Sequence, residues 1–297
     1  MKLKKSIQES PNLTVILPGG CNANCGFCFW KPSYTDVTYL SRLNHYLSIL
    51  PDIFTQCSIS GGEPTYSEFL TPTLETISRY NFPKVVLTSN GGNISNVIDI
   101  LKNKVRYINI SRHSIDDIEN YKIFNTKDVP STKKLTTICK KLNDVGIPVN
   151  INCVVEENFG DKQYLYDYVD FAFKVGASSV TFRKNYNSDN LDNFKLHDLF
   201  SNVKSIRKDS CPVCKLDSKL IKGMPVNFKY SLNEPSNHVN FIYELIYQPD
   251  GILYEDWNFG KPVEFYNPMD VLYSSPTVPN YSSCGNTGSV RGYSSCG

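Results

Sequence analysis

Three thiols, Cys21, Cys25 and Cys28, fall within the stretch CNANCGFCF at residues 21–29. Thiols clustered in this way serve a zinc knuckle, a disulfide staple or an iron–sulfur site. A structural zinc site closes with four ligands, and neither a histidine nor a fourth cysteine lies nearby to complete the set. The C-x3-C-x2-C spacing also departs from the C-x2-C-x2-C run of bacterial ferredoxins. On a cubane cluster three thiolates leave one iron with an open position, where a substrate or cofactor can bind. Cys57, Cys139 and Cys153 sit singly in apolar strand or helix patterns and read as small buried hydrophobes. Cys211, Cys214, Cys284 and Cys296 complete the ten cysteines, all four in the last third of the chain.

The elements that must position these groups alternate regularly. LTVILP (13–18) reads as a strand leading into the cysteine loop, and SRLNHYLSILPDIF (41–54) has helical spacing. CSIS (57–60), KVVLTSN (84–90), YINISRH (107–113), VNINCVV (149–155) and SSVTFRK (178–184) read as further strands. Helical patterns at 70–80, 96–103, 131–146 and 163–176 fall between strands, the third closed by Gly146 at the expected C′ position. Six strands alternating with helices over short connections predict an α/β fold with parallel strands and crossover helices. A doubly wound sheet and a partial (β/α)6 TIM-like barrel both fit, and in either the chemistry gathers at the C-terminal strand ends. Beyond about residue 200 the rhythm changes. PVNFKYSL (225–232) and FIYELIYQPDGILYEDW (241–257) are β-like, the second a hairpin about its PDG turn, and the Ser/Gly/Pro-rich stretch from 274 predicts an irregular tail. The expected division is a core barrel over 1–200 and a C-terminal extension over 201–297.

Composition excludes several classes. Thirty-one Lys and Arg against 29 acids leave a formal charge of +2, no electrostatic footprint for nucleic acid. No run of about 18 apolar residues suggests a membrane span, and no apolar core follows the basic start. A cytoplasmic location is expected, where thiols stay reduced and clustered cysteines serve as metal ligands.

The motifs, taken together, resemble the radical S-adenosylmethionine (SAM) superfamily. Cys21, Cys25, Phe27 and Cys28 match its C-x3-C-x-aromatic-C signature, in a loop similar to those of viperin-type and molybdenum-cofactor-cyclase-type members. Gly61-Gly62-Glu63-Pro64 matches its GGEP at the second strand end, Thr88-Ser89-Asn90-Gly91 its third, and INISRHSID (108–116) its fourth. The resemblance covers residues 12 to 185. It implies an enzyme in which Cys21, Cys25 and Cys28 hold a 4Fe–4S cluster and SAM binds the open iron. It sets Gly61 and Gly62 against the methionyl group, Glu63 against its amine, and Phe27 by the adenine. Pro64, Ser89, Asn90, Ser111 and Asn152 complete the cofactor site, with Asn152 ahead of Asn150 for the ribose. Arg112 reads as a carboxylate clamp on SAM or as a surface strand-end residue, and His113 as packed or solvent-facing. Arg183 is a candidate substrate contact. The resemblance also implies an electron donor such as flavodoxin or ferredoxin.

Relatives of the SPASM and twitch type carry a second cluster after the barrel. Cys211 and Cys214 stand where such an element begins, and with Cys284 and Cys296 they would make a four-thiolate site for a second 4Fe–4S cluster. Zinc at the same residues and free thiols are the alternatives. The expected reaction is reductive cleavage of SAM to a 5′-deoxyadenosyl radical that takes hydrogen from a peptide or small natural-product precursor. A nucleotide substrate is the alternative, and an iron–sulfur electron carrier or activase is a third reading. Arg112, Arg183 and Lys184 are a thin set of cations for a triphosphate.

Overall fold

Along each central strand apolar and polar residues alternate, so each strand presents one face to helices and another to an interior. The computed structural model describes residues 2–3, 6–28, 30, 35–50, 54–155, 162–185, 202–208, 216–229, 241–255, 257, 262–263 and 265–266. In chain order its elements are β1 (Lys2–Leu3), β2 (Ser6–Leu17), α1 (Tyr39–Ile49), β3 (Gln56–Gly61), α2 (Leu70–Ile77), β4 (Val85–Ser89) and α3 (Ile94–Leu101). Then come β5 (Tyr107–Ser111), α4 (Asp117–Phe124), α5 (Thr132–Asp144), β6 (Val149–Val155), α6 (Lys162–Lys174) and β7 (Ser179–Lys184). The last are β8 (Ser205–Lys208), β9 (Leu216–Ile221), β10 (Met224–Lys229), β11 (Phe241–Tyr247), β12 (Leu253–Tyr254) and β13 (Phe265–Tyr266).

Strands β2 to β7 pair parallel and in sequence order. A doubly wound sheet reverses its strand order at a switch point. No reversal occurs between β2 and β7, so the arrangement is the partial barrel. Leu13, Val15, Cys57, Ile59, Ile108, Ile110, Ile151, Cys153, Val180 and Phe182 pack outward against helix residues such as Leu43, Leu74, Leu135 and Leu165. Cys57, Cys139 and Cys153 are fully buried in this core, as expected of small hydrophobes.

The alternate positions are buried and polar, and they bond to one another. Asn109 donates to Thr88 Oγ1 (3.2 Å), and Asn150 donates to Asn109 Oδ1 (3.0 Å) and Asn152 Oδ1 (2.7 Å). Ser179 and Thr181 donate to Asn150 Oδ1, Asn227 to Thr181, and Ser218 to Asn227. A belt of amides and hydroxyls therefore crosses β4 to β7 and continues onto β10 and β9. In a low-dielectric interior such a belt is stable only while its members satisfy one another.

Two features extend the expected pattern. The C-terminal strands do not stand apart from the barrel: β11 pairs parallel with β2, and β10 pairs parallel with β7. Strand β9, which pairs with β10, and helix α4 carry no clear periodicity in the sequence. Among the α4 residues only Asn120 and Phe124 are buried, so no apolar stripe announces it. Its ends are set by Asp116, which accepts from the Glu119 N–H, and by Asn125 in the left-handed conformation. The PDG hairpin forms as expected, with β11 and β12 antiparallel. The tail from 274 and the expected boundary near 200 lie outside the described residues.

Candidate active site

The cysteine loop leaves the C-terminal end of β2, where the chain has passed between the helix layer and the polar interior. Burial, then the charges of Cys28 and Cys21, push the Cys25 thiol up to about 12. Cys21 is raised by burial, with Glu63 and Cys28 adding to it. The three sulfurs thus feel one another, and the charges acting on Cys21 and Cys25 are negative. Soft donors crowded in this way need a positive centre between them to ionise. Among the described residues no three His, Cys, Asp or Glu side chains converge closely enough for a single metal ion.

Several hydrogen bonds brace this loop. The Glu63 N–H donates to the Gly20 carbonyl (3.0 Å), immediately before Cys21, and Asn24 N–H donates to Phe124 O (2.9 Å). Asn22 Nδ2 donates to Asp128 O (3.0 Å), and Asn90 Nδ2 to Asn22 Oδ1 (2.6 Å). Cys21 Sγ accepts from the Ala23 N–H (3.4 Å) and lies 4.0 Å from Asn90 Nδ2. Gly62 shows why this turn needs glycine: a Cβ there would collide with the Gly20 carbonyl.

Glu63 joins the second and third strand ends. It is 2% exposed. Its Oε1 accepts from the Thr65 N–H (3.0 Å), Thr65 Oγ1 (2.6 Å) and Ser89 Oγ (2.7 Å), and its Oε2 from the Asn90 N–H (2.6 Å). Burial raises its pKa, and these four donors pull it back. Pro64 opens a short 3-10 turn, Pro64–Tyr66, for which Glu63 is the N-cap. Ser89 also accepts from the Gly91 N–H (2.9 Å). Gly61, Gly62, Glu63, Pro64, Ser89 and Asn90 thus form one hydrogen-bonded platform beside Cys21.

The fourth strand end differs. Ser111 and Asn152 are register partners at the ends of β5 and β6, with Asn152 on the polar belt. Arg112 is 1% exposed and turned into the helix layer. Its Nε donates to Ser114 O (2.5 Å), Nη1 to Pro130 O (3.0 Å), and Nη2 to Ile115 O (3.2 Å) and Asp117 Oδ1 (2.7 Å). The guanidinium also lies over the Phe171 ring of α6, 5.2 Å from its centroid. Arg112 is therefore neither a surface residue nor placed to clamp a cofactor carboxylate: its acceptors belong to the β5–α5 segment. His113 is packed, the first of its two readings. Its ring meets Phe27 edge-on, with centroids 4.9 Å apart, and Phe124 on another side at 4.8 Å.

Arg183 lies in register with Lys229 on adjacent parallel strands, both near the C-terminal ends and on the belt side. Burial lowers the Arg183 pKa to about 10 against the opposing charges of Tyr107 and Glu244. The side chain of Lys184 and the residues Cys211, Cys214, Cys284 and Cys296 lie outside the described residues. Sequence reasoning misses Lys229, Asn227 and Glu244, because nothing local marks β10 and β11 as strands of the barrel sheet. It also misses Asn22, which lies in view between the first two cysteines.

The profile of the Radical SAM superfamily matches residues 15–169, just over half of the chain. The chain belongs to the radical SAM superfamily. It is 26% identical over 183 residues to a probable GTP 3′,8-cyclase of Sulfolobus acidocaldarius, covering 58% of this chain and 55% of that relative. It is 25% identical over 173 residues to the GTP 3′,8-cyclase of Synechocystis sp., covering 54% and 50%. The chain thus spans about half the length of these curated relatives. Streptococcus suis SuiB bound to S-adenosylmethionine superposes with TM-score 0.63 at 16% identity, over 91% of this chain and 67% of that one. Native anSMEcpe with bound AdoMet and the Kp18Cys peptide gives 0.54 at 16%, over 84% and 75%. These structures share the fold. Membership of the superfamily implies a 4Fe–4S cluster and SAM. The donor set fits them: three thiols that act on one another electrostatically, a glycine turn that admits close backbone approach, and a polar platform alongside. Among the described residues no helix is long and apolar enough to cross a membrane.

Proposed function

We propose that Cys21, Cys25 and Cys28 hold the cluster, that residues 61–64, 89 and 90 with Phe27, Ser111 and Asn152 bind SAM, and that the substrate is a peptide or peptide-like precursor. The observation that carries the substrate reading is the lining of the barrel. Asn109, Asn150, Asn152, Thr181 and Asn227 give the interior amides and hydroxyls, here bonded to one another, and a peptide group offers the same donors and acceptors in exchange. A triphosphate needs a cluster of Lys and Arg. With Arg112 turned into the helix layer, Arg183 and Lys229 are the cations that the described strand ends offer on this side. That pair, with the likeness to the GTP cyclases, is what favours a nucleotide as the second reading.

Held by Cys21, Cys25 and Cys28 and reduced by an external donor, a 4Fe–4S cluster would supply the electron for reductive cleavage of the SAM sulfonium bond. The chain's own contribution is geometric. Glu63 and Asn90 fix the turn against the first cysteine, Gly62 lets the backbone approach, and the polar belt orients a hydrogen-bonding substrate beneath. We further propose a flavodoxin- or ferredoxin-type donor, a core over 1–200 with an extension over 201–297, and a second cluster on Cys211, Cys214, Cys284 and Cys296.

Anaerobic reconstitution followed by dithionite and SAM tests the reading. The parent is expected to release 5′-deoxyadenosine and Cys25→Ala to release none; release by the variant would overturn the cluster assignment. About eight irons per chain support the second cluster, and about four reject it. Added GTP is expected to leave 5′-deoxyadenosine formation unchanged, whereas a rise of about tenfold would favour the nucleotide reading.

A further inference from the structure

We propose that His113 is a positioning residue whose ring is the fixed wall against which Phe27, and with it the loop between Cys25 and Cys28, is set. The inference rests on reading residues 21–28 as the cluster loop. The wall is held from three directions. His113 Nδ1 accepts from the Val154 N–H (3.1 Å), which fixes the ring's rotation. The His113 N–H donates to Asn120 Oδ1 (2.9 Å), tying its backbone to α4. The Phe124 ring, one turn beyond Asn120 on the same helix face, backs the imidazole at 4.8 Å.

The loop hangs on this assembly at two points. Phe27 abuts the imidazole at 78° between planes, the edge-to-face arrangement that aromatic quadrupoles favour. The Asn24 N–H reaches Phe124 O, so the same residue that backs the wall also anchors the main chain just before Cys25. His113 is 4% exposed, enclosed between loop and helix, so it acts through Phe27 and not by touching a ligand. A neutral imidazole suits this role, because burial, with the Arg112 charge adding to it, lowers its pKa to about 3 and leaves Nδ1 an acceptor at neutral pH.

Two variants separate the ring from its hydrogen bond. His113→Gln keeps an acceptor and removes the ring; His113→Phe keeps the ring and removes the acceptor. Each reconstituted protein is measured for iron per chain, for melting temperature and for SAM affinity from the SAM-induced change in the reduced cluster's EPR spectrum. At parent iron content, His113→Gln is expected to weaken SAM binding about three- to tenfold, the worth of one edge-to-face contact, and His113→Phe to stay near the parent. Phe27→Leu should weaken binding similarly, and adding His113→Gln to it should weaken it little further. Parent-like affinity in His113→Gln, a weaker His113→Phe than His113→Gln, or additive effects with Phe27→Leu would each overturn the proposal. Should His113→Gln not fold, Phe124→Leu takes its place in the cycle with the same expected non-additivity. A parent that loads no iron would instead overturn the cluster reading itself.

Discussion

The turn after β3 and the turn after β5 each bury a charged side chain at a strand end, yet the two charges serve different layers. Glu63 points among neutral donors, Thr65, Ser89 and the Asn90 N–H, and acts on the charge of Cys21. Arg112 points the other way, into carbonyls of the β5–α5 segment and the carboxylate of Asp117. The Glu63 carboxylate is held by neutral dipoles, whereas the Arg112 guanidinium is paired with its own counter-ion, Asp117. Position at a strand end thus places a residue near the chemistry, but the direction of its side chain decides whether it takes part.

The largest test of this contrast is Arg112→Met. It strands Asp117 and three carbonyls, and the expected cost is about 3 kcal/mol, less than a fully enclosed pair would lose because Asp117 is part-exposed. Urea melts measure it. Arg112→Lys should rescue little, because a single ammonium cannot reproduce the forked contacts. SAM affinity of the folded fraction should stay within about threefold of the parent; a much larger loss at full folding would put Arg112 back at the cofactor. Gly62→Ala probes the other turn. Forcing a Cβ against the Gly20 carbonyl is expected to cost about 2 kcal/mol and to lower iron loading, since the strain falls next to Cys21. Glu63→Gln comes next, at about 1–2 kcal/mol, because its amide can accept from Thr65 and Ser89 but sets an N–H against the Asn90 N–H. Here SAM affinity should fall by more than stability does, the reverse of the Arg112 pattern.

The Glu63 side of this comparison is legible in the sequence, and much of the Arg112 side is not. Each strand from β2 to β7 shows in its alternation, and the cysteines, Gly61-Gly62-Glu63 and Ser89-Asn90 occupy consecutive strand ends. Those residues fall on neighbouring strand ends, as the sequence predicts, because short backbone turns fix them. Arg112 escapes placement because it lies one residue beyond β5, where strand alternation no longer dictates a face. Its acceptors, Pro130 O and Asp117, come from a helix without an apolar stripe and from the loop after it. Lys229 and Glu244 are hidden for a topological reason. Their strands join the barrel edges from far along the chain, and pairing partners of that kind leave no local signal.

The smallest effect concerns His113, beside Arg112 in the same turn. Its folded pKa, about 3, lies below the ordinary 6.5, so on acidification the unfolded chain takes up a proton that the folded state refuses. Stability attributable to this residue is therefore complete above about pH 6.5 and declines as pH falls through the window down to about 3. Between pH 7 and pH 6 the loss is about 0.7 kcal/mol. Asp117 works in the same direction but at lower pH: burial raises it, and the stronger pull of Arg112 and Thr132 holds it below the usual carboxylate range. Glu63 works oppositely, since its raised pKa makes stability fall as pH rises above the ordinary carboxylate value. Comparing each protein with itself across pH 6 and 7 separates these contributions, because His113→Gln removes only the first. The parent should lose stability over that interval by about 0.7 kcal/mol more than the variant does. Equal losses would mean that the imidazole accepts a proton in place, and the hydrogen bond from Val154 would then have to break within the folded protein.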